Sequence, residues 1–231
     1  MPPQTLEPHT LDGVDSSVEA PAQPWVSGSP KRHWLDATTW VDLTPGWLRD
    51  PNEVYRALHD GLAWRQARLW RYDHYVTEPR LTAGTRPNAH PAVLEATKAL
   101  RRHYGVEFDG PSLALYRDGR DALGAHRDRE LRHTADTLIV ILSLGARRPW
   151  ILTPRGAADT GRAAAGAIDL APRAGDLLVL GGRAQADWLH GVPPQPGLRE
   201  GRISVQWRWT SGTGPPEIGP GYRAPRHFSG G

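Results

Sequence analysis

RISVQWRWT, residues 202–210, alternates without a break, so Arg202, Ser204, Gln206 and Arg208 fall on one side of an extended chain and Ile203, Val205, Trp207 and Trp209 on the other. A helix would scatter these two sets around its axis, so the stretch reads as a strand with one apolar and one polar face. On a half-exposed strand the polar face meets water. Working backwards, SLALY (112–116), TLIVILSL (137–144), PWILT (149–153) and DLLVLGG (176–182) are further short apolar or alternating runs, separated by Gly, Pro and Asp.

Upstream the period changes. PNEVYRALHDGL (51–62) opens on a proline and sets Val54, Leu58 and Leu62 on one helical face. HPAVLEATKALRRHYG (90–105) starts a second helix at Pro91 and stops at Gly105, with Arg101, Arg102 and His103 in the last turn, where cations complement the helix dipole. Two helices followed by at least five strands predict an α+β domain, with the helices laid against a sheet sandwich or barrel of the jelly-roll kind.

Composition limits what such a domain can do. With 231 residues and 39% apolar content, one domain can build a sizeable core. No run approaches 18 apolar residues and Met1 leads into prolines and polar residues, so the expectation is a cytoplasmic chain without membrane contact. Zero cysteines exclude a disulfide, a thiolate nucleophile and a Cys-ligated zinc. Any metal must therefore be held by His and carboxylate.

Residues 1–30 carry Glu7, Asp12, Asp15 and Glu19, six prolines and no Lys or Arg, and are read as a disordered acidic leader. Residues 211–231, rich in Gly and Pro, are read as a flexible tail. Outside the leader 28 basic residues face 21 acidic ones, and apart from Lys31 and Lys98 every basic residue is arginine. Arginine pairs bidentately with phosphate or carboxylate, which suits a polyanionic partner, although arginine also serves simply to solvate a surface.

LGAHRDRE (123–130) sets His126 and Asp128 at i and i+2, on one side of an extended segment, with Glu130 continuing that face. Alone, this pattern is as consistent with a polar turn. His190, in DWLHGVPP (187–194), follows the apolar strand DLLVLGG. Two histidines and one carboxylate with three positions open form the facial triad of non-heme Fe(II) oxygenases. An open-sided iron needs a co-substrate, and Arg202 and Arg208 on one inward face could neutralise a dicarboxylate such as 2-oxoglutarate.

Through SLALYRDGRDALGAHRDRE (112–130), ILSLG (141–145), GDLLVLGG with WLHGVPP (175–194), RISVQWR (202–208) and, upstream, YVTEPRLTAG (75–84), the chain resembles the AlkB-like Fe(II)/2-oxoglutarate-dependent dioxygenases. The resemblance implies a double-stranded β-helix core over residues 31–210, with N-terminal supporting helices and a substrate lid. It implies Fe(II) on His126, Asp128 and His190, and 2-oxoglutarate, used with O2, held by Tyr116, Arg202, Ser204 and Arg208. Arg202 would grip the distal carboxylate, and Arg208 would support the inner end or the active-site acid. Glu130 would face the substrate base. The family carries Asn at the position of Ala114, and Asn and Thr at those of Ser204 and Gln206, so hydrogen bonds around the co-substrate are altered here.

The implied reaction is oxidative demethylation of N-alkylated bases in DNA or RNA, releasing succinate, CO2 and formaldehyde. Its substrate is single-stranded or flipped out, because a base inside a duplex cannot reach buried iron. The lid region AWRQARLWRYDHYVTEPR (63–80) interleaves aromatics with arginines, and Trp70, Tyr72 and Arg80 are its expected substrate contacts. Trp64 and Trp70 are equally readable as core residues covered by arginines. The expected state is a monomer. Two alternatives stay open: a dioxygenase of the same fold acting on a protein or small molecule, and a nucleic-acid-binding module without turnover.

Overall fold

The computed structural model describes residues 25–71, 73–84, 90–128, 131–156, 166–218 and 226–228, with the side chains of 69–71 and 226–228 left out. Most of the leader, Tyr72, Glu130 and the Trp70 side chain therefore lie outside the described residues. In chain order, β1 (Lys31–Trp34) and β2 (Thr39–Thr44) lead to α1 (Pro51–Gly61), and β3 (Arg65–Arg71) and β4 (His74–Gly84) form a hairpin before α2 (Pro91–Tyr104). Then come β5 (Asp109–Tyr116), β6 (Leu123–His126), β7 (Thr137–Gly145), β8 (Ile151–Pro154), β9 (Ile168–Asp169) and β10 (Leu177–Gly182). A short helix α3 (Ala184–Asp187), β11 (Trp188–Val192), β12 (Arg202–Thr210) and β13 (Arg226–Phe228) complete the order.

The strands form two sheets: a nine-stranded one in the order β1-β2-β10-β7-β12-β5-β4-β3-β13 and a four-stranded one in the order β6-β11-β8-β9. This is the double-stranded β-helix that the sequence implies, with the helices on the outer face of the larger sheet. Both helices start and stop as the sequence dictates. Pro91 opens α2 behind His90, whose ring accepts from the Ala92 N–H, and Gly105 closes it at φ 68°, a left-handed conformation open to glycine at little cost. Among the described residues, no helix is long and apolar enough to cross a membrane.

The central strands explain why apolar runs and alternating runs coexist. Along β7, Leu138, Val140, Leu142 and Leu144 pack with Val54 and Leu58 of α1 and with Ala96 and Leu100 of α2. Ile139 and Ile141, on the other face, pack with Leu178, Leu180, Leu152 and Trp188 in a second core between the sheets. A strand covered on both faces reads as continuously apolar. Neighbouring β12 sends Ile203, Val205 and Trp207 into the helix-side core, but its polar face does not meet water. Arg202 and Ser204 are buried, because the smaller sheet covers that face.

Strands β1 to β4 were not legible as strands. All four residues of β1 are exposed, and β3 and β4 mix arginine, aromatic and β-branched residues without a clean apolar period. Of the Gly/Pro-rich C-terminal segment, residues 211–218 run along the 127–136 loop, and residues 226–228 pair with β3.

Candidate metal and co-substrate site

His126 ends β6, Asp128 lies two residues further on, and His190 sits in β11 directly opposite His126 in the antiparallel ladder. The strands approach closely because residue 191 is glycine: a Cβ there would lie 3.0 Å from the Leu123 carbonyl oxygen and 3.1 Å from the Ala125 nitrogen. The two imidazole rings are 4.4 Å apart. Asp128 Oδ1 lies 3.5 Å from His126 Nε2 and 3.6 Å from His190 Nε2, and one donor atom from each residue falls within 4.8 Å of the others. Three donors at about 2.1 Å from one ion, mutually cis, stand roughly 3 Å apart, so a small contraction brings this set onto a metal.

Surrounding groups prepare these donors. The His126 Nδ1 sits 2.9 Å from the Gly124 carbonyl, which can only accept, so the proton belongs on Nδ1 and the Nε2 lone pair is free. Trp150 stacks on His190 at 5.3 Å and 11°, fixing the ring plane. Burial, reinforced by His126, pushes His190 below the ordinary imidazole range, which favours the neutral form a metal requires. Burial alone would push the Asp128 carboxyl up; Arg208, His126 and His190 outweigh it and hold the group well below the usual range. Arg208 Nε donates to Asp128 Oδ2 at 2.7 Å, and Gln185 of α3 donates from Nε2 to the Asp128 backbone carbonyl at 3.0 Å.

A cationic pocket is built from the facing strands. Arg202 is completely buried; its Nη2 donates to Ser143 Oγ at 2.9 Å, while Nε and Nη1 have no hydrogen-bond partner among the described residues. Burial lowers this guanidinium to about 10, which still leaves it charged at neutral pH. The Tyr116 ring lies 5.8, 5.1 and 5.8 Å from the guanidinium carbons of Arg80, Arg148 and Arg202. Arg148 is also fully buried and clamps the 118–121 turn to the loop after β11 through the carbonyls of Asp118, Asp121 and Pro193, leaving Nε unpartnered. Glu78 lies 3.9 Å from Arg80; no carboxylate among the described residues pairs with buried Arg202, and a buried charge without a counter-ion is costly, so the Arg202 end suits an added anion.

Several expected residues sit elsewhere than the sequence suggests. Arg80, expected at the substrate, is buried on β4, with Nη1 donating to Tyr116 Oη at 3.2 Å. It belongs to the anion pocket. Arg208 donates to Asp128, Ser112 and the Gln206 side chain, the placement expected of an arginine that supports the active-site acid. Gln206 therefore orients Arg208. Ser204 is buried beside Ala114, its partner across the β5–β12 ladder, where two small side chains leave room. Trp64 packs against the helix-side core, with its Nε1 donating to the His59 carbonyl. Sequence reasoning missed Arg148, Trp150 and Gln185. The only signal for Arg148 was an Arg-Arg pair that reads as surface.

Residues 44–208 match the 2OG-Fe(II) oxygenase superfamily, a span that contains every donor and guanidinium just described. The chain belongs to that superfamily. The chain is similar to alpha-ketoglutarate-dependent dioxygenase alkB homolog 3 of Bos taurus, 29% identical over 188 residues, covering 73% of this chain and 65% of that protein. The Homo sapiens protein of the same name is 26% identical over 186 residues, again covering 73% and 65%. This member thus spans a little under two thirds of those relatives. Its fold is shared with Streptomyces hygroscopicus HygX, solved with nickel, 2-oxoglutarate and hygromycin B (TM-score 0.53, 12% identity, 76% of this chain and 84% of the other). A Trichoplax adhaerens prolyl hydroxylase bound to a hypoxia inducible factor peptide fragment is similar too (TM-score 0.51, 10% identity, 72% and 83%). The His-Asp-His set and the anion pocket both fit the iron and 2-oxoglutarate for which the superfamily is named.

Proposed function

We propose that this protein is an Fe(II)/2-oxoglutarate-dependent dioxygenase that removes alkyl groups from N-alkylated bases of single-stranded or flipped-out nucleic acid, releasing succinate, CO2 and, from a methyl group, formaldehyde. The observation that carries the oxygenase reading is the pairing of a His-Asp-His donor set with the two unpartnered N–H groups of buried Arg202. His126, Asp128 and His190 would hold Fe(II), and Arg202, beside Tyr116 and Ser143, would take the distal carboxylate of 2-oxoglutarate. Bound there with O2, the pair supplies the oxidant that hydroxylates a C–H bond of the substrate. The rest is this chain's own work. Arg208 keeps Asp128 ionised and aimed, Trp150 fixes the His190 ring, and Arg80 and Arg148 add positive potential around Tyr116.

The nucleic-acid reading is supported by the β3–β4 hairpin and by the resemblance to AlkB-like enzymes. Arg65, Arg68 and His74 are exposed on it, and Tyr75, 39% exposed, has the Arg68 guanidinium 5.3 Å from its ring. A cation beside an accessible aromatic face suits a phosphate next to an unstacked base. Trp70, Tyr72 and Glu130, the other substrate contacts expected from the sequence, have side chains outside the described residues. The test is anaerobic Fe(II) and 2-oxoglutarate titration, followed by succinate and formaldehyde assays with methylated single-stranded DNA, duplex DNA and tRNA. Succinate release matched by formaldehyde, fastest on one unpaired substrate, is expected. Turnover only with a peptide or small molecule, with salt-insensitive oligonucleotide binding, would replace the substrate class and leave the oxygenase chemistry standing.

A further inference from the structure

The C-terminal strap carries a single carboxylate into a cationic neighbourhood beside the metal ligands. Arg127, between His126 and Asp128, meets Glu217: Nη1 donates to Oε1 at 2.9 Å and Nη2 to Oε2 at 3.5 Å. Backbone contacts hold the strap in place. The Glu217 N–H donates to the Arg132 carbonyl at 2.7 Å, the Ser211 N–H to the Asp136 carbonyl at 3.1 Å, and the Thr210 hydroxyl to the His133 carbonyl at 2.6 Å, while the His133 ring meets the Gly214 carbonyl at 2.9 Å. The Arg127 hydrogen bond lowers the Glu217 carboxyl against the effect of burial, and Arg155 lowers it further. Asp136, at the far end of the strap, is exposed.

We infer that Arg127 forms a phosphate subsite flanking the reactive centre, and that Glu217 fills it as a tethered carboxylate until a phosphodiester of the substrate displaces it. A fork of two oxygens on a guanidinium is the geometry a phosphate also offers. The pair is partly open, with Arg127 17% and Glu217 30% exposed. Such ion pairs add little net stability, so exchanging one anion for another is close to balanced. The inference rests on the nucleic-acid reading above, and it adds a place where the backbone is gripped and a group on this chain that competes for it.

The test uses the full chain and a fluorescent 15-nucleotide single-stranded DNA carrying one N-methylated base, with binding followed by anisotropy across a salt series. Glu217→Gln is expected to bind about three- to tenfold tighter at low salt, because no carboxylate has to leave Arg127, with the same slope of log affinity against log salt; removing Arg127 should flatten that slope by about 0.7, the increment for one phosphate neutralised on a single strand. Arg127→Gln placed on top of Glu217→Gln should erase that gain. In the wild type, the Glu217 carboxyl carbon resonance should move towards that of a solvent-exposed glutamate when the oligonucleotide is added, a reading that does not depend on any variant folding. Unchanged affinity in a folded Glu217→Gln, or an unmoved resonance at saturation, overturns the inference. If neither wild type nor variant binds any oligonucleotide, the nucleic-acid reading itself has failed.

Discussion

The metal donors and the anion pocket lie between the same two sheets in opposite electrostatic conditions. Around the metal donors each charge has a counterpart within the protein: Asp128 meets Arg208, and Arg208 is held in turn by Ser112 and Gln206. In the anion pocket, Arg80 has Glu78 3.9 Å away, whereas among the described residues two nitrogens of Arg202 and one of Arg148 have no hydrogen-bond partner, all buried. One half of the site is complete in the ligand-free chain, whereas the other becomes complete only when an anion arrives. Stability and binding should therefore move together in the first half and apart in the second.

Asp128→Ala is the most damaging change this contrast anticipates. It removes a metal donor and strips Arg208 of its main charge partner, so Fe(II) binding and turnover should vanish and the apo protein should lose about 3 kcal/mol or more in urea denaturation. A variant of full stability would break the first half of the comparison. Arg202→Met should do the reverse. Affinity for 2-oxoglutarate should fall by about 2–5 kcal/mol, while the apo protein gains about 1–4 kcal/mol, because an uncompensated buried cation gives way to an apolar side chain of similar reach. Loss of stability in this variant would show that Arg202 is already satisfied.

Ligand-induced stabilisation sharpens the same point. At one hundred times its dissociation constant, 2-oxoglutarate with a redox-inert divalent metal should stabilise the wild type by about 2.7 kcal/mol in thermal unfolding, and Arg202→Met by almost nothing at that concentration. The smallest effect is a pH dependence. Folding pushes His190 below the 6.5 of a free imidazole, so the unfolded chain binds more protons between the two values. Apo stability is thus full above about pH 6.5 and declines as pH falls towards the folded value. His190→Gln should flatten that decline, as read by denaturation midpoints between pH 5 and 8.

Much of the site was legible in the chain. His126, Asp128 and His190 could be named because a His-x-Asp pair and a later histidine match a facial triad and lie in motifs that resemble those of AlkB-like dioxygenases. Both helices could be placed because prolines and glycines punctuate them where the apolar period begins and ends. The β3–β4 hairpin was not legible as strand, since neither of its faces carries an unbroken apolar row. The strap over 211–218 was hidden for a related reason: backbone carbonyls of the 127–136 loop hold it, and any residue offers those.

By itself, the sequence determined which side chains share a face and which atoms could bind a metal, because both follow from local geometry and side-chain chemistry. Only the tertiary structure decided what covers each face. It laid the four-stranded sheet over the polar side of β12, moved Arg80 from the expected substrate surface to Tyr116, and set Ser112 and Gln206 against Arg208. Alternation along a strand fixes the direction of each side chain relative to its neighbours and says nothing about the partner, which arrives from residues tens of positions away.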